Sequence, residues 1–530
     1  MKRKKGPLLV QHVLCISILV GLILPCIQGC GKPEPGWQYT GETRIILFHV
    51  NDMHARINNI ARIAWYVQQE KKRIPKASVF FLNAGDNFSG NAVVDQYDPK
   101  GEPILQLMYR MGYDAMVLGN HEFDYRQQVL KRFIEKANFP IICANANLKG
   151  EKESFPQPPP FTILKTSAGI KIAVLGLIEV NKHTSIPDTH PNGVKGFTFS
   201  HPIETAKKYR YLKKESHVFI ALTHLGIDTD ELLAQEMGEL DLIIGGHSHS
   251  QIHHPFEING VMIAQAGGNA RYLGRIELIL KEGQLVKKSG KLIEVATIKG
   301  KIPQLEEMIV KFNNSPVLNQ VIAVLPRSLP RKYEVGNLLC DALRKHFNLD
   351  IVFHNYGGIR VNQLGPIVKL KDIYDLHPFE NRMVQFEMTP AEIRSLIQSS
   401  YERYNKLDLL VSGIAYIVKR TSRGEVKDVE LRDETGELLD ETKTYTVGMN
   451  DFMASTYEFI HRDPGKSLMV TVNDAFIQYL KQEKDVCKGI KGIRTLESTP
   501  DKNEGNRKKN NKNDKKVNQP WRSYILDILP

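Results

Sequence analysis

The chain has 530 residues, of which 42% are hydrophobic and 25% charged. That composition suits two or three packed domains and excludes a fibrous or wholly disordered chain. The formal charge of +12 is concentrated at the ends: four charges are Lys2, Arg3, Lys4 and Lys5, and residues 499–520 hold seven Lys or Arg against three Asp or Glu. The body between them is near neutral and has no basic stripe interleaved with aromatics, so a nucleic-acid polymer is not an expected partner.

The first thirty residues read as an export signal: a basic start, an apolar stretch through Leu24, then Ile27-Gln28-Gly29-Cys30. A small residue ahead of Cys30 predicts bacterial lipoprotein processing, with the lipid on Cys30 and residues 32–37 as a tether. A transmembrane anchor is the alternative, but Gln11, His12 and Pro25 interrupt the stretch. Cys143, Cys340 and Cys487 are odd in number and widely spaced, so no disulfide framework is expected; Cys143 reads as a buried apolar filler.

Along the chain, five apolar runs each lead into residues able to ligate a metal. Residues 45–50 run into Asn51-Asp52-Met53-His54, and 79–82 into Asn83-Ala84-Gly85-Asp86. Residues 115–118 precede Gly119-Asn120-His121-Glu122, 218–222 precede Thr223-His224, and 242–244 precede Gly245-Gly246-His247-Ser248-His249. Runs that are apolar at nearly every position predict strands buried on both faces of an α/β sheet, where ligands gather beyond the carboxyl ends. Loops at the tips of one buried sheet would then gather these side chains.

Taken singly, Gly-Asp is a turn and Asn-His-Glu a helix start; their joint occurrence after five strands points to a metal site. Two Asp, one Asn and four His exceed one ion's needs. They suit two divalent ions sharing a carboxylate, the arrangement used for in-line displacement at phosphorus, with zinc, manganese, iron or cobalt favoured over calcium. A water held there would ionise near pH 7. His121 is left over as a non-ligand able to face a phosphoryl group, and Asp124, three residues on, can orient it and favour its charged form. Asp124 also reads as a first-turn acid meeting the helix dipole. His183, His190, His201, His217, His253 and His254 are assigned surface or structural roles.

These blocks, in this order, resemble the calcineurin-like metallophosphoesterases, and among them the 5'-nucleotidases. The resemblance implies that Asp86 bridges two ions, that Asp52, His54 and His249 complete one shell, and that Asn120, His224 and His247 complete the other. It also implies that His121 and Asp124 stabilise the transition state and assist the leaving group. It extends past the metal motifs: residues 335–342, Asn355-Tyr356-Gly357-Gly358-Ile359-Arg360 and His377-Pro378-Phe379-Glu380-Asn381 resemble the family's substrate domain. By that resemblance Arg331 and Arg360 bind phosphate, Asn355 binds the nucleoside, and Phe379 with Phe452 clamps the base. Where the family has a glycine-rich loop with an Asp for the ribose, this chain has Ser455-Thr456-Tyr457-Glu458-Phe459, leaving Glu458 as a longer substitute.

The expected organisation is a lipoprotein signal peptide at 1–30 and a metallophosphoesterase domain at 31–300, a four-layer α/β/β/α sandwich. A helical linker and hinge at 301–326 follows, then a C-terminal α/β substrate domain at 327–498 and a basic, disordered tail at 499–530. The expected function is hydrolysis of nucleoside 5'-monophosphates outside the cytoplasm, on the periplasmic or cell-surface face of the envelope, with no protein partner. Rival expectations are a UDP-sugar diphosphatase, a 2',3'-cyclic nucleotide phosphodiesterase, a thiosulfate-cleaving relative and, more remotely, a non-catalytic binding lipoprotein.

Overall fold

A computed structural model describes residues 41–74, 78–149, 155–483 and 494–498. The signal segment with Cys30, Cys487 and the tail from 499 lie outside the described residues. Among the described residues no helix is long and apolar enough to cross a membrane.

The first domain contains two six-stranded sheets. One has the spatial order Gln284–Glu294, Tyr272–Lys281, Glu42–Val50, Ser78–Asn83, Ala115–Val117, Ile141–Ile142; the other has Phe256–Ile258, Val261–Gln265, Leu242–Gly245, Val218–His224, Lys171–Ile178, Phe161–Lys165. The five ligand-bearing strands are therefore divided between two sheets, which corrects the expectation of one. The two stack face to face: Ile45, Leu47, Leu82 and Val117 from one meet Val174, Ile220, Leu222 and Ile244 from the other in a dry layer. Alternate residues such as Ile46 and Phe48 point outward to helices Ile60–Arg73, Glu102–Met111 and Arg126–Lys136. Helices Pro202–Lys207 and Ile227–Glu236 cover the second sheet. Sandwiching on both faces explains strands that are apolar at every position, and it produces the four-layer α/β/β/α arrangement.

The register aligns the strand ends. Strand Glu42–Val50 pairs in parallel with Ser78–Asn83, Val50 opposite Asn83, and Lys171–Ile178 pairs in parallel with Val218–His224, Ile178 opposite His224.

Helix Pro303–Asn313, expected to form part of a linker, buries Leu305, Ile309 and Phe312 in the first domain's core. Strand Val321–Val324 already pairs with Ile367–Lys369 of the second domain. Only residues 314–320 connect the two, because the apolar face of that helix needs the first domain to cover it.

The second domain is built on a five-stranded sheet ordered Leu409–Ser412, Ile351–Asn355, Tyr445–Asn450, Arg382–Met388, Lys466–Thr471. Helices Lys332–Phe347 and Val472–Gln482 pack in the core on one face. Helix Pro390–Tyr404, started by a Thr389/Glu392 capping box, packs on the other with a three-stranded sheet of Val426–Asp433, Ile414–Arg420 and Thr495–Ser498.

Candidate active site

Every expected ligand lies at, or within four residues of, the carboxyl end of a parallel strand. The chain must turn sharply there, and five of the seven residues are left-handed: Asp52 (φ 49°), His54 (46°), Asp86 (56°), His247 (78°) and His249 (53°). For residues with a Cβ this costs of order 1–3 kcal/mol each and persists only where neighbours enforce it. Those neighbours are visible: the Asp52 and His54 amides donate to the Gly85 and Asp86 carbonyls at 2.9 and 3.0 Å. Glu122, fully buried, accepts from the amides of Gly119, Asp86 and Asn87 at 2.7, 2.9 and 2.7 Å. It fastens the turn bearing Asp86 to the one bearing Asn120. Gly119 admits no side chain, since a Cβ there would lie 2.2 Å from Asp86 Oδ1.

The donors converge into linked groups. Asp52, His54 and His249 form one set within metal-sharing reach, and Asp86, His224 and His247 another; Asp86 also reaches His54 and His121. Asp86 Oδ2 is 3.0 Å from His224 Nε2, and Asp52 Oδ1 is 3.3 Å from His249 Nε2. Asn120 Oδ1 lies 3.1 Å from His247 Nδ1.

The arrangement fits cations. His224 is fully buried, and its Nδ1 donates to the Ala84 carbonyl at 2.7 Å, so its Nε2 turns a lone pair toward Asp86. His54 Nδ1 faces the Ser89 carbonyl at 3.2 Å while its Nε2 meets His249 Nε2 at 2.9 Å. A buried His224 lone pair aimed at the Asp86 carboxylate requires a positive charge between them, whereas an Nε2–H on His249 would also satisfy the contact with His54. Without an ion a proton takes that place: burial disfavours charging His224, but the Asp86 and Asp52 carboxylates outweigh it and push its pKa up to about 10.

Beside the donors, His121 Nδ1 lies 2.6 Å from Asp124 Oδ2, across the 3₁₀ turn Asn120–Phe123. The Thr189 hydroxyl donates to the other Asp124 oxygen at 3.0 Å. Burial would lower the His121 pKa, yet Asp124 and Asp86 raise it above the ordinary histidine value.

The second domain closes over this face. A cleft of about 200 Å³ is lined by Asp86, Asn120, His121, His247 and His249 on one side and by Asn355, Arg360, Phe379 and Phe452 on the other. Arg360 Nη2 is 3.2 Å from both ring nitrogens of His54. Phe379 stacks against His121 with ring centres 6.0 Å apart. Asn355, at the end of its strand, accepts from Asn450 Nδ2 at 3.0 Å.

Two expected substrate residues are elsewhere. Arg331 is 60% exposed at the start of helix Lys332–Phe347 and engages the buried Glu334 at 3.3 Å instead of the cleft. Glu458 is 65% exposed, faces His183 at 3.5 Å and does not line the cleft. Conversely, His190 lines the cleft, with Asp188, Thr189, Asn381 and Tyr404. No strand pattern precedes Pro187-Asp188-Thr189-His190, so the sequence holds no signal for them; Asn381 is visible only as part of its block.

Sheet-tip carboxylates, imidazoles and an amide facing a second domain define the calcineurin-like phosphoesterase class, and residues 46–251 match that family. Residues 321–459 match the 5'-nucleotidase C-terminal domain. The two matches cover most of the described residues, and the chain belongs to the 5'-nucleotidase family of calcineurin-like phosphoesterases. It is 26% identical over 503 residues to the trifunctional nucleotide phosphoesterase protein YfkN of Bacillus subtilis, covering 83% of this chain and 34% of that one. It is 27% identical over 454 residues to a 5'-nucleotidase of Vibrio cholerae, covering 72% of this chain and 80% of that one. The chain thus spans about a third of the Bacillus protein's length. A crystal structure of a 5'-nucleotidase precursor from Thermus thermophilus shares the fold, with a TM-score of 0.73 at 23% identity over 86% of this chain and 99% of that one.

Proposed function

We propose that the protein is a metal-dependent phosphohydrolase that cleaves nucleoside 5'-monophosphates to nucleoside and phosphate. The observation that carries this reading is the apposition of the Asp/His/Asn cluster to the cleft of Arg360, Phe379 and Phe452. Asp52, His54 and His249 would hold one divalent ion and Asn120, His224 and His247 a second, with Asp86 shared between them. When bound, such ions (zinc, manganese, iron or cobalt) supply water ionised near neutral pH and positive charge for the phosphoryl oxygens.

The chain supplies the rest. Arg360 presents a planar guanidinium that matches two phosphate oxygens. Phe379 and Phe452 offer the nucleobase flat apolar faces, worth about 1–3 kcal/mol per stack. His121, whose charged form Asp124 favours, is placed to donate toward charge developing on phosphorus or on the leaving 5'-oxygen. With Glu458 outside the cleft, Asn355, Asn381 and Tyr404 are the groups available to the sugar and base edge. The names of the Bacillus and Vibrio relatives support a nucleotide substrate.

Phosphate release from AMP, measured with and without chelator, tests this. AMP turnover abolished by chelator and restored by Mn²⁺ or Zn²⁺ is expected; turnover of UDP-glucose or 2',3'-cyclic AMP with none of AMP would replace the substrate assignment. We also propose that the protein is exported and anchored to the cell envelope by lipid on Cys30, a reading supported by the basic, apolar, Gly29-Cys30 order of the first thirty residues. Labelled palmitate should enter the wild type and not Cys30→Ser; equal labelling would refute it.

A further inference from the structure

One short segment of the first domain touches both halves of the catalytic apparatus and the second domain as well. Leaving strand Lys171–Ile178, the chain returns to the cleft at Asp188-Thr189-His190. The Asp188 carbonyl accepts from Asn120 Nδ2 at 2.9 Å, which orients the Asn120 amide so that its Oδ1 faces His247. The Thr189 hydroxyl donates to Asp124 at 3.0 Å, steadying the partner of His121. The Asp188 side chain meets Arg403 of the second domain, Nη2 to Oδ1 at 2.8 Å, and His190 Nε2 lies 3.8 Å from Asp451.

Arg403 is unusual for an ion-pair residue at a domain junction. It is only 5% exposed, and its Nη1 donates to the Thr456 carbonyl at 2.7 Å, at the end of the helix that bears Phe452. Its guanidinium also lies over Tyr404 and Tyr457, 5.4 and 5.3 Å from the ring centres. A desolvated fork fixed on three sides is a rigid probe, so its contact with Asp188 exists only when the domains meet in this arrangement.

We propose that Arg403 and Asp188 form a positioning pair that makes catalytic alignment depend on domain closure: Arg403 docks on Asp188, and Asp188-Thr189 passes the constraint to Asn120 and Asp124. Neither residue is assigned contact with the reacting atoms. The proposal rests on the nucleotidase reading above.

Steady-state kinetics on AMP and metal content per chain are measured for the wild type, Arg403→Met, Arg403→Lys, Asp188→Asn and the Arg403→Met/Asp188→Asn double variant. A wild type inactive on AMP would fail the functional reading itself, whatever Arg403 does. With an active wild type, the pair predicts that Arg403→Met lowers kcat between about 10-fold and 100-fold, with KM within about 3-fold and metal content unchanged. Arg403→Lys should recover part of the loss, and the double variant should be no worse than the poorer single one, because the two act as a unit. If Arg403→Met yields no folded protein, Thr189→Val, which removes only a hydroxyl, should still lower kcat at constant KM. A change confined to KM, multiplicative losses in the double variant, or kcat within twofold of wild type in Arg403→Met or Thr189→Val overturns the proposal.

Discussion

His121 and Asp124 face each other at 2.6 Å, Nδ1 to Oδ2, across a 3₁₀ turn whose first residue, Asn120, belongs to the donor cluster. Under the proposed function, a residue beside the candidate metal site that is itself oriented by a carboxylate would act on phosphorus or on the leaving oxygen. His121→Ala should therefore lower kcat by about 10²- to 10⁴-fold while metal content per chain stays at the wild-type value. Wild-type turnover in that variant would remove the pair from the chemistry.

Phe379 and Phe452 line the cleft, and Glu458 does not. Removing either aromatic should raise KM for AMP about tenfold or more, the equivalent of a lost stack. Glu458→Ala should leave KM and kcat within about twofold. A Glu458 variant with a large rise in KM would mean that its loop turns inward when nucleotide binds.

Asp408 is buried and bonded to the Tyr457 hydroxyl. Burial pushes its carboxyl up to about 6, against the opposing effect of that bond. A carboxyl whose folded pKa is raised contributes stability below its unfolded pKa of about 3.9 and loses it as pH rises through 6. Asp408→Asn carries no such titration. Its melting temperature relative to wild type should therefore climb between pH 4 and pH 7, by an amount worth at most about 3 kcal/mol. A difference independent of pH would contradict this.

The candidate metal site is legible in the sequence because each donor follows a strand, and a strand sandwiched between a helix layer and a second sheet announces itself as an unbroken apolar run. What that pattern does not encode is which sheet a strand joins. Ile45 and Ile220 look alike in sequence yet sit on opposite walls of the same dry layer, so the pattern predicts one sheet where there are two. The apolar spacing of Leu305, Ile309 and Phe312 identifies a helix but not the core it enters. Arg331 and Glu458 are assigned to the substrate by resemblance, and neither lines the cleft: the buried Glu334 engages the first, and the second faces His183. Asp188 and Arg403 are invisible in the sequence because their partnership spans 215 residues and two domains.

Crystals grown with Mn²⁺ and examined by anomalous diffraction give the most direct test of the site as a whole. Two peaks are predicted within coordination distance of the seven donors, with Asp86 touching both, and Asp86→Asn should lose at least one. A single peak in the wild type, or peaks remote from Asp52, Asp86, His224 and His249, would contradict the two-ion phosphohydrolase proposed here.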